Sequence, residues 1–324
     1  MLDIMQIARD GTMTRISAPL DDRPGAPAQA GQTRSGDICK RTVRANGLDF
    51  PVLEAGSGPL VLCLHGFPDH AQSWIHILDR LAQEGYRAVA PALRGYWAGG
   101  AAPDGSYRAA AIGQDVLALI EALGADQAHV VGHDFGARAA YSAASLDSSR
   151  IRKLVGLAVP YGKGLPQAFV ADGEQQRRSW YMFFFHTRFA EPAVQLNEFA
   201  FLDRLWREWS PSYKMPASDR SALIETFKQP GVLPQTLAYY RQLFTPPPEA
   251  EAQALEARAN GPIAVPSLYL HGEEDGCMSA RLSDDMTAAF TKGFERVVLP
   301  GVGHFLHLEK PEVVLGHILP FLKT

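Results

Sequence analysis

The sequence predicts an α/β fold in which a mostly parallel sheet is covered by helices on both faces. Short apolar runs typical of buried strands alternate with segments whose apolar residues recur at helical spacing. The alternation stops over residues 160–260, which are rich in aromatic residues, and then resumes to the C-terminus. Strands that alternate with helices in this way favour a parallel sheet with both faces covered.

The N-terminal region predicts an extension followed by a hairpin. Residues 1–37 are rich in Gly, Pro, Ala, Gln and Asp without sustained periodicity, which predicts a mobile extension. Two β-like runs follow, Cys39–Ala45 and Leu48–Glu54. The Asn46-Gly47 dipeptide between them is a strong signal for a tight hairpin.

Compact apolar runs predict the other strands of the sheet. They cover Leu60–Leu64, Arg87–Pro91, Ala128–Val131, Ile151–Val159, Ser267–Leu270 and Arg296–Leu299. Helices are predicted over residues 71–84, 107–123, 280–290 and 309–323, and directly after residue 134. In the first of these, Trp74, Ile77, Leu78 and Leu81 recur at i, i+3, i+4 and i+7, which predicts one apolar face.

The aromatic-rich segment predicts a helical cap inserted into the α/β domain. It contains the run Trp180-Tyr181-Met182-Phe183-Phe184-Phe185 and ends near Pro246-Pro247-Pro248. Most of its aromatic residues are expected to pack as core. The predicted domains are an extension over residues 1–37, an α/β core over 38–159 and 261–324, and a cap over 160–260.

Composition excludes several classes of protein. The chain has 46% hydrophobic and 20% charged residues and a formal net charge of −4, which indicates no nucleic-acid surface and no polybasic membrane patch. Three cysteines without ligand spacing indicate neither a disulfide framework nor a zinc site. No signal peptide or membrane span is recognisable, so a cytoplasmic location is expected. The oligomeric state is left open, with a homodimer as one option.

The stretch Gly132-His133-Asp134-Phe135-Gly136 lies between a predicted buried strand and an alanine-rich predicted helix. A tight strand-to-helix turn between small residues exposes its central side chain at the top of a sheet, which is the layout of a nucleophile elbow. A carboxylate there suits displacement at a saturated carbon, which gives an ester that water must then cleave. The alternative is a tight turn in which Asp134 only caps the helix.

Asp134, Asp275 and His304 each come just after a predicted strand, at the edge where open parallel sheets bind ligands. Their chain order of nucleophile, acid and histidine is that of the α/β-hydrolase triad. With His65-Gly66-Phe67-Pro68 and Gly303-His304 added, the chain from about residue 38 to its end resembles an α/β-hydrolase with a cap domain. The Asp elbow, the His-Gly-Phe-Pro turn and the Gly-His near the end together most resemble the epoxide hydrolase branch.

The resemblance implies a role for each member of the triad. Asp134 would be the nucleophile, His304 the base that activates water, and Asp275 the carboxylate that orients His304. Glu273 and Glu274 are neighbours that could substitute for Asp275. A solvated acidic loop is the structural alternative for these carboxylates.

The resemblance also implies an oxyanion hole, formed by the backbone N–H groups of Phe67 and Phe135. Pro68 would shape that turn through a cis Phe67–Pro68 bond. His65 and His133 adjoin the glycine turns and are expected to be structural, with no part in the chemistry.

Two cap tyrosines would handle the leaving group. Opening an epoxide puts negative charge on the ring oxygen, and a phenol with a pKa near ~10 stays protonated to neutralise it. The segments around residues 181 and 240 resemble those that carry the tyrosines of epoxide hydrolases, which points to Tyr181 and Tyr240. Tyr239 is a rival to Tyr240, and simple packing is the alternative role for each.

Two dehalogenase families offer rival interpretations. Haloalkane dehalogenases share the Asp elbow but hold the halide with side-chain N–H donors, which Phe67 and Phe135 cannot provide, although Trp180 in the cap can. Fluoroacetate dehalogenases hold a carboxylate with arginines after the nucleophile. This chain keeps Arg138 but has Phe135 at the other position, so Arg138 is either a ligand for an anionic substrate or a structural ion-pair partner.

The sequence therefore predicts hydrolysis of an epoxide to a vicinal diol through an ester on Asp134. Haloalkane or haloacid dehalogenation is the alternative, and an inactive receptor on the same fold is disfavoured because the triad and oxyanion turn are intact. The aromatic cap predicts an apolar small-molecule substrate, with Pro68, Trp180 and Arg138 as binding residues. No metal, organic cofactor or nucleic-acid partner is expected.

Overall fold

The structure is a computed structural model that describes residues 38–324 and, before them, two short strands, Gln6–Ile7 and Met13–Thr14, which pair antiparallel. Apart from these strands, the mobile extension predicted over residues 1–37 lies outside the described residues. Residues 38–324 all lie within one compact unit.

An eight-stranded sheet forms the centre of that unit. Its strands, in chain order, are β1 Cys39–Ala45, β2 Leu48–Ala55, β3 Leu60–Leu64, β4 Arg87–Pro91, β5 Ala128–His133, β6 Ile151–Leu157, β7 Ser267–Gly272 and β8 Phe294–Leu299. Their spatial order is β1-β2-β4-β3-β5-β6-β7-β8, and only β1–β2 and β2–β4 pair antiparallel within this sheet. The mostly parallel sheet predicted from the sequence is confirmed.

The hairpin at the edge of the sheet forms where the sequence predicts it. Asn46 and Gly47 have φ angles of 42° and 76°, and Ala45 pairs with Leu48 across the turn. A two-residue turn with both φ angles positive matches the right-handed twist of the strands that it joins, and Asn-Gly tolerates it best.

Helices cover the sheet and fill the segment between β6 and β7. They are α1 Ile75–Gln83, α2 Ala109–Ala122, α3 Phe135–Leu146, α4 Gly164–Ala171, α5 Gly173–Arg178, α6 Trp180–Phe184, α7 Ala190–Trp209, α8 Ala217–Lys228, α9 Val232–Leu243, α10 Ala250–Ala259, α11 Leu306–Glu309 and α12 Pro311–Lys323. A 3₁₀ turn, Ala71–Trp74, precedes α1. In α7 the residues from Leu196 to Phe199 leave the helical conformation, which bends the segment.

The α-helix predicted over residues 280–290 is wrong. Two 3₁₀ segments, Ala280–Ser283 and Met286–Ala289, occupy that region instead. The carbonyl of Ala280 accepts from the Ser283 hydroxyl and from the Arg296 guanidinium, which also donates to Asp284. The Ala280 carbonyl and the Asp284 carboxylate thus find side-chain hydrogen-bond donors. In a continuous α-helix the Ala280 carbonyl would instead accept a backbone N–H.

The hydrophobic core lies on both faces of the sheet. Along β3, Val61 and Cys63 belong to one cluster of buried side chains and Leu62 and Leu64 to the other, as expected for alternating strand residues. The first cluster includes side chains of α1 and α12, and the second includes those of α2, α3 and the helices between β6 and β7. Strands buried on both faces explain why their sequences are continuous apolar runs.

The helices between β6 and β7 are joined to the rest of the fold through Trp206 on α7. Its indole N–H donates to the carbonyl of Pro68 at 2.9 Å, and its ring stacks on Phe305 with centroids 3.4 Å apart. Within residues 38–324, no helix is both long and apolar enough to cross a membrane.

Candidate active site

The turn between β5 and α3 requires its two glycines. A Cβ atom on Gly132 would come within 2.2 Å of the Gly136 carbonyl oxygen, and a Cβ on Gly136 within 2.1 Å of the Leu64 carbonyl oxygen. Asp134 between them has φ 53° and ψ −119°, a conformation that costs free energy for any residue with a side chain. The close packing holds Asp134 in this strained conformation.

The Asp134 carboxylate faces the neighbouring turn and does not cap its own helix. Its Oδ1 atom accepts a hydrogen bond from the backbone N–H of Phe67 at 2.8 Å, and its side chain makes no capping hydrogen bond to α3. The helix-capping alternative therefore does not describe this residue.

His304 lies between two carboxylates. Its Nδ1 atom is 2.8 Å from Oδ2 of Asp275, and its Nε2 atom is 3.7 Å from Oδ2 of Asp134. The other carboxylate oxygen of Asp275 accepts from the backbone N–H groups of Cys277 and Met278 at 2.7 Å and 2.9 Å. Asp275 is thereby fixed in the orientation that holds the imidazole ring.

The two neighbouring carboxylates do not compete with Asp275. Glu273 and Glu274 are exposed, whereas Asp275 and His304 are buried. The structure thus brings Asp134, His304 and Asp275 together at the carboxyl ends of their strands. The solvated acidic loop that was the alternative describes Glu273 and Glu274 only.

The neighbouring carboxylates make the imidazole of His304 a strong base. Burial lowers the pKa of His304, but the carboxylates of Asp275 and Asp134 outweigh burial and raise the pKa to about 10. The imidazole ring is therefore protonated at neutral pH as long as both carboxylates are ionised.

Tyr240 rests against both residues that are predicted to form the oxyanion hole. Its ring centroid lies 5.2 Å from that of Phe67, 4.9 Å from that of Phe135 and 5.5 Å from that of Tyr181. The hydroxyl of Tyr240 has no hydrogen-bond partner among the described residues. It is a buried hydroxyl beside Phe67 and Phe135, the two residues that flank the Asp134 turn.

Tyr239 and Tyr181 have their hydroxyl groups engaged. The Tyr239 hydroxyl donates to the carbonyl of Arg94 at 2.8 Å, while that of Tyr181 lies 3.2 Å from Sγ of Cys277. The geometry therefore favours Tyr240 over Tyr239 as the second tyrosine. Burial raises the pKa of Tyr181 and of Tyr240 well above its usual range, and the Asp134 carboxylate raises both further, so both phenols keep their protons.

The turn at Phe67 and Pro68 closes the site from the side of β3. The Phe67–Pro68 peptide bond is cis. Of the two backbone N–H groups predicted to form the oxyanion hole, that of Phe67 binds the Asp134 carboxylate directly, and that of Phe135 begins α3 beside it. The N–H of Phe67 thus binds an oxygen of Asp134 as the predicted oxyanion hole requires, and the part of the Phe135 N–H stays a prediction.

His65 and His133 make structural contacts. The Nε2 atom of His65 accepts the N–H of Leu93 at 3.0 Å, and the Nε2 atom of His133 lies 2.9 Å from the His304 carbonyl oxygen. Burial lowers the pKa of His65 to about 4 and that of His133 well below its usual range. Both rings are neutral at neutral pH and support the loops on which the site is built.

Two contacts of the site carry no signal in the sequence. The carbonyl of Trp209, at the end of α7, accepts the N–H groups of Gly276 and His304 at 3.1 Å and 3.0 Å. This backbone group fixes both loops that carry the histidine and its carboxylate. The second contact joins the Tyr181 hydroxyl to the thiol of Cys277. The spacing of these residues in the sequence does not predict that they meet.

A cavity of about 1120 Å³ lies beside the elbow helix. Phe135, Arg138 and Tyr239 line it, whereas Trp180 is not among the described residues that do. Trp180 packs on Phe201 and on the guanidinium of Arg204, so no contact supports its predicted part in substrate binding. Arg138 lines this cavity one helical turn after Asp134, whereas Trp180, Asp134 and His304 are not among the described residues that line it.

Among the described residues, two buried groups hold side chains of metal-ligating types. In each, the potential ligand atoms lie within 4.8 Å of one another; the groups are Asp275, Cys277 and His304, and Asp69, His133 and His307. In the first, burial raises the pKa of the Cys277 thiol well above its usual range, which opposes the thiolate that a metal would need. The expectation that no metal is required remains a prediction.

Comparisons with known proteins agree with this geometry. The model of the α/β hydrolase fold family matches residues 59–311. The chain is 30% identical to epoxide hydrolase 4 of Mus musculus over 311 residues, which cover 93% of this chain and 84% of that protein. It is 29% identical to epoxide hydrolase A of Mycobacterium tuberculosis over 317 residues, which cover 87% of this chain and 97% of that protein.

A solved structure gives the same result. The crystal structure of an epoxide hydrolase from Vigna radiata superposes with a TM-score of 0.74 at 30% sequence identity, covering 90% of this chain and 99% of that one. The fold, the position of the elbow and the extent of these matches lead to one conclusion. The chain belongs to the α/β-hydrolase fold family, within its epoxide hydrolase-like branch.

Proposed function

We propose that this protein hydrolyses an epoxide to a vicinal diol through a covalent ester on Asp134. The observation that carries the proposal is the position of Tyr240, whose ring contacts both Phe67 and Phe135 and whose hydroxyl makes no hydrogen bond with any described residue. A protonated phenol above a carboxylate nucleophile is the arrangement needed to open a strained ether. The relatives named epoxide hydrolase support the same chemistry.

In the first half-reaction, Oδ2 of Asp134 attacks a ring carbon from the side opposite to the breaking bond. The carbon–oxygen bond of the ring breaks, and the ring oxygen takes a proton from Tyr240 or Tyr181. The products are an ester between Asp134 and the substrate, a free hydroxyl on the adjacent carbon, and a tyrosinate. Oδ1 remains bound to the N–H of Phe67.

Ester formation converts His304 from an acid into a base. Because the Asp134 carboxylate helps to hold the pKa of His304 near 10, loss of its negative charge lowers that pKa. His304 then returns its proton to the tyrosinate and is neutral. Asp275 stabilises the ring in the orientation that leaves Nε2 free for water.

In the second half-reaction, Nε2 of His304 takes a proton from water as the water oxygen attacks Cγ of Asp134. The negative charge develops on Oδ1, where the N–H groups of Phe67 and Phe135 stabilise it. The intermediate collapses, the diol leaves with the proton from His304, and the carboxylic acid of Asp134 reprotonates that histidine. The resting state is restored, and the sum is epoxide plus water to diol.

The proposal also assigns the domains and the substrate class. Residues 38–159 and 261–324 form the hydrolase core, and residues 160–260 form the cap that carries Tyr181 and Tyr240. The aromatic side chains around these tyrosines suit an apolar epoxide. The reaction as written uses only groups of this chain and water, with no metal or organic cofactor.

Intact mass spectrometry on the His304→Gln variant tests the mechanism. Without the base the ester should persist. When the variant is exposed separately to epoxides, haloalkanes and haloacids, an epoxide should therefore add its whole mass to the protein. The double variant with Asp134→Ala should gain no mass. A gain that lacks the halide would assign the chain to the dehalogenases, and no adduct from any of the three classes would contradict the proposal.

A further inference from the structure

Arg138 is a cation in the cavity wall that has no partner among the described residues. It lies on α3 one turn after Asp134, is partly buried, and its guanidinium makes no hydrogen bond or ion pair with any residue that the structure describes. Other buried or partly buried arginines differ. Arg94 is paired with Asp115, and Arg241 with Glu191 and the Phe185 carbonyl. An unpaired guanidinium away from bulk water is costly unless something binds it.

Neither acidic residue that lines the cavity forms an ion pair with Arg138. Glu256 also lines the wall, but it is not within ion-pair distance of the guanidinium, and its Oε1 atom accepts the N–H of Ala110 at 2.9 Å. Asp285, the other acid of the lining, is exposed. Burial lowers the pKa of Arg138 while Glu256 and Asp134 raise it, and an arginine keeps its charge at neutral pH.

The other cations of the cavity differ from Arg138. The guanidinium of Arg108 donates to the backbone carbonyls of Gln242 and Thr245, which ties it to the end of α9. Lys163 also lines the cavity, but it is exposed on the loop before α4. Of the cations that line this wall, Arg138 is therefore the one that is partly buried and has no hydrogen-bond or ion-pair partner among the described residues.

The rest of the cavity wall is mostly apolar, and it includes Phe135, the residue that follows Asp134 in the chain. Ile112, Phe169 and Leu243 are among the lining residues. Phe135 lines the cavity, and its ring lies 4.9 Å from that of Tyr240, so this part of the cavity wall adjoins the proposed reaction centre. One helical turn, about 6 Å, separates the backbone of Arg138 from that of Asp134.

We infer that Arg138 binds a carboxylate on the substrate, so that the substrate class is an otherwise apolar epoxide that carries an acid group. The planar guanidinium can pair with both carboxylate oxygens while the apolar wall holds the body of the molecule. The epoxide part of this inference rests on the proposed function. The acid part rests on the cavity and can be tested without turnover.

Binding of benzoate is the direct test, with benzamide as the uncharged probe of the same shape. Calorimetry on the full chain should show benzoate binding, weakened about 10- to 100-fold by Arg138→Gln and less by Arg138→Lys. Lys163→Gln, which removes the exposed cation, should change the dissociation constant less than about twofold. Glu256→Gln should tighten benzoate binding, because it removes a negative charge of the wall that acts on Arg138.

A matched pair of epoxides links the subsite to the reaction. The ratio of kcat/KM for 4-carboxystyrene oxide to that for 4-carbamoylstyrene oxide should fall about 10- to 100-fold in Arg138→Gln, mainly through KM. An unchanged ratio together with unchanged benzoate binding would overturn the inference while leaving epoxide hydrolysis standing. Loss of benzoate binding in Arg138→Gln, in a protein that opens neither epoxide, would support the anion site and count against the proposed function.

Discussion

The Nε2 atom of His304 lies 3.7 Å from the Oδ2 atom of Asp134. At this distance the two groups attract each other strongly as ions but do not form a good hydrogen bond. In the proposed reaction they act in succession, the carboxylate as nucleophile and the imidazole as base. Their contact therefore couples the two half-reactions, because the charge of one group sets the protonation of the other.

Stability should fall with rising pH because of His304. Its pKa is raised to about 10 in the folded protein, against about 6.5 in the unfolded chain. The stabilisation is then fully present below about pH 6.5 and is lost as pH rises through about 10, at up to about 1.4 kcal/mol per pH unit. Urea unfolding should show this slope in the wild type and a flatter profile in His304→Gln. Parallel profiles would contradict a raised pKa.

Hydrolysis of the ester should depend on the carboxylate of Asp275 and not on that of its neighbour Glu274. In Asp275→Asn the Nδ1 atom of His304 loses its carboxylate partner, so hydrolysis of the ester should slow by about 10³- to 10⁴-fold. Ester formation should suffer less, and the ester should accumulate in rapid-quench mass spectrometry. Glu274→Gln is the matched control, since this carboxylate is exposed and should leave both rates within about twofold. Equal effects of the two substitutions would mean that the wrong carboxylate has been assigned.

The bounds of the buried strands, and the residues that directly follow those strands, were predictable from the pattern of apolar residues in the sequence. Leu60–Leu64 and Arg87–Pro91 have in the structure the bounds that the sequence predicts, since strands covered on both faces are continuous apolar runs. The place of Asp134 and His304 just after predicted strands also followed from the sequence, whereas the roles expected of them came from the resemblance to α/β-hydrolases. These features depend on local pattern and topology alone.

The choice between Tyr239 and Tyr240 could not be made from the sequence. Adjacent residues on a helix point about 100° apart, and only the packing of α9 decides which side chain meets the nucleophile. Likewise, the lack of an ion pair at Arg138 depends on where every nearby carboxylate lies. The 3₁₀ segments around residue 283 depend on Arg296, a side chain from a later strand.

The buried pair of Arg94 and Asp115 should be important for stability. Arg94 donates from Nε and Nη2 to the two oxygens of Asp115 at 2.6 Å each, and both side chains are buried. Asp115→Ala leaves a buried guanidinium with one carboxylate fewer, so the free energy of unfolding should drop by about 3–5 kcal/mol. The pair of Arg44 and Asp49 is the exposed control, and Asp49→Ala should leave urea unfolding unchanged. A small effect of Asp115→Ala would show that the other polar contacts of Arg94 suffice.

Phenylalanine substitutions at the two adjacent tyrosines should separate catalysis from stability. Tyr240→Phe removes a hydroxyl that has no partner in the free protein, so the free energy of unfolding should stay nearly constant. The rate of ester formation, measured in the His304→Gln background, should fall about 10- to 100-fold because an acid for the ring oxygen is lost. Tyr239→Phe removes the hydrogen bond to the Arg94 carbonyl and should cost about 1 kcal/mol of stability, with ester formation changed only a few-fold. The reverse pattern, a slow Tyr239→Phe and a normal Tyr240→Phe, would assign the acid to Tyr239.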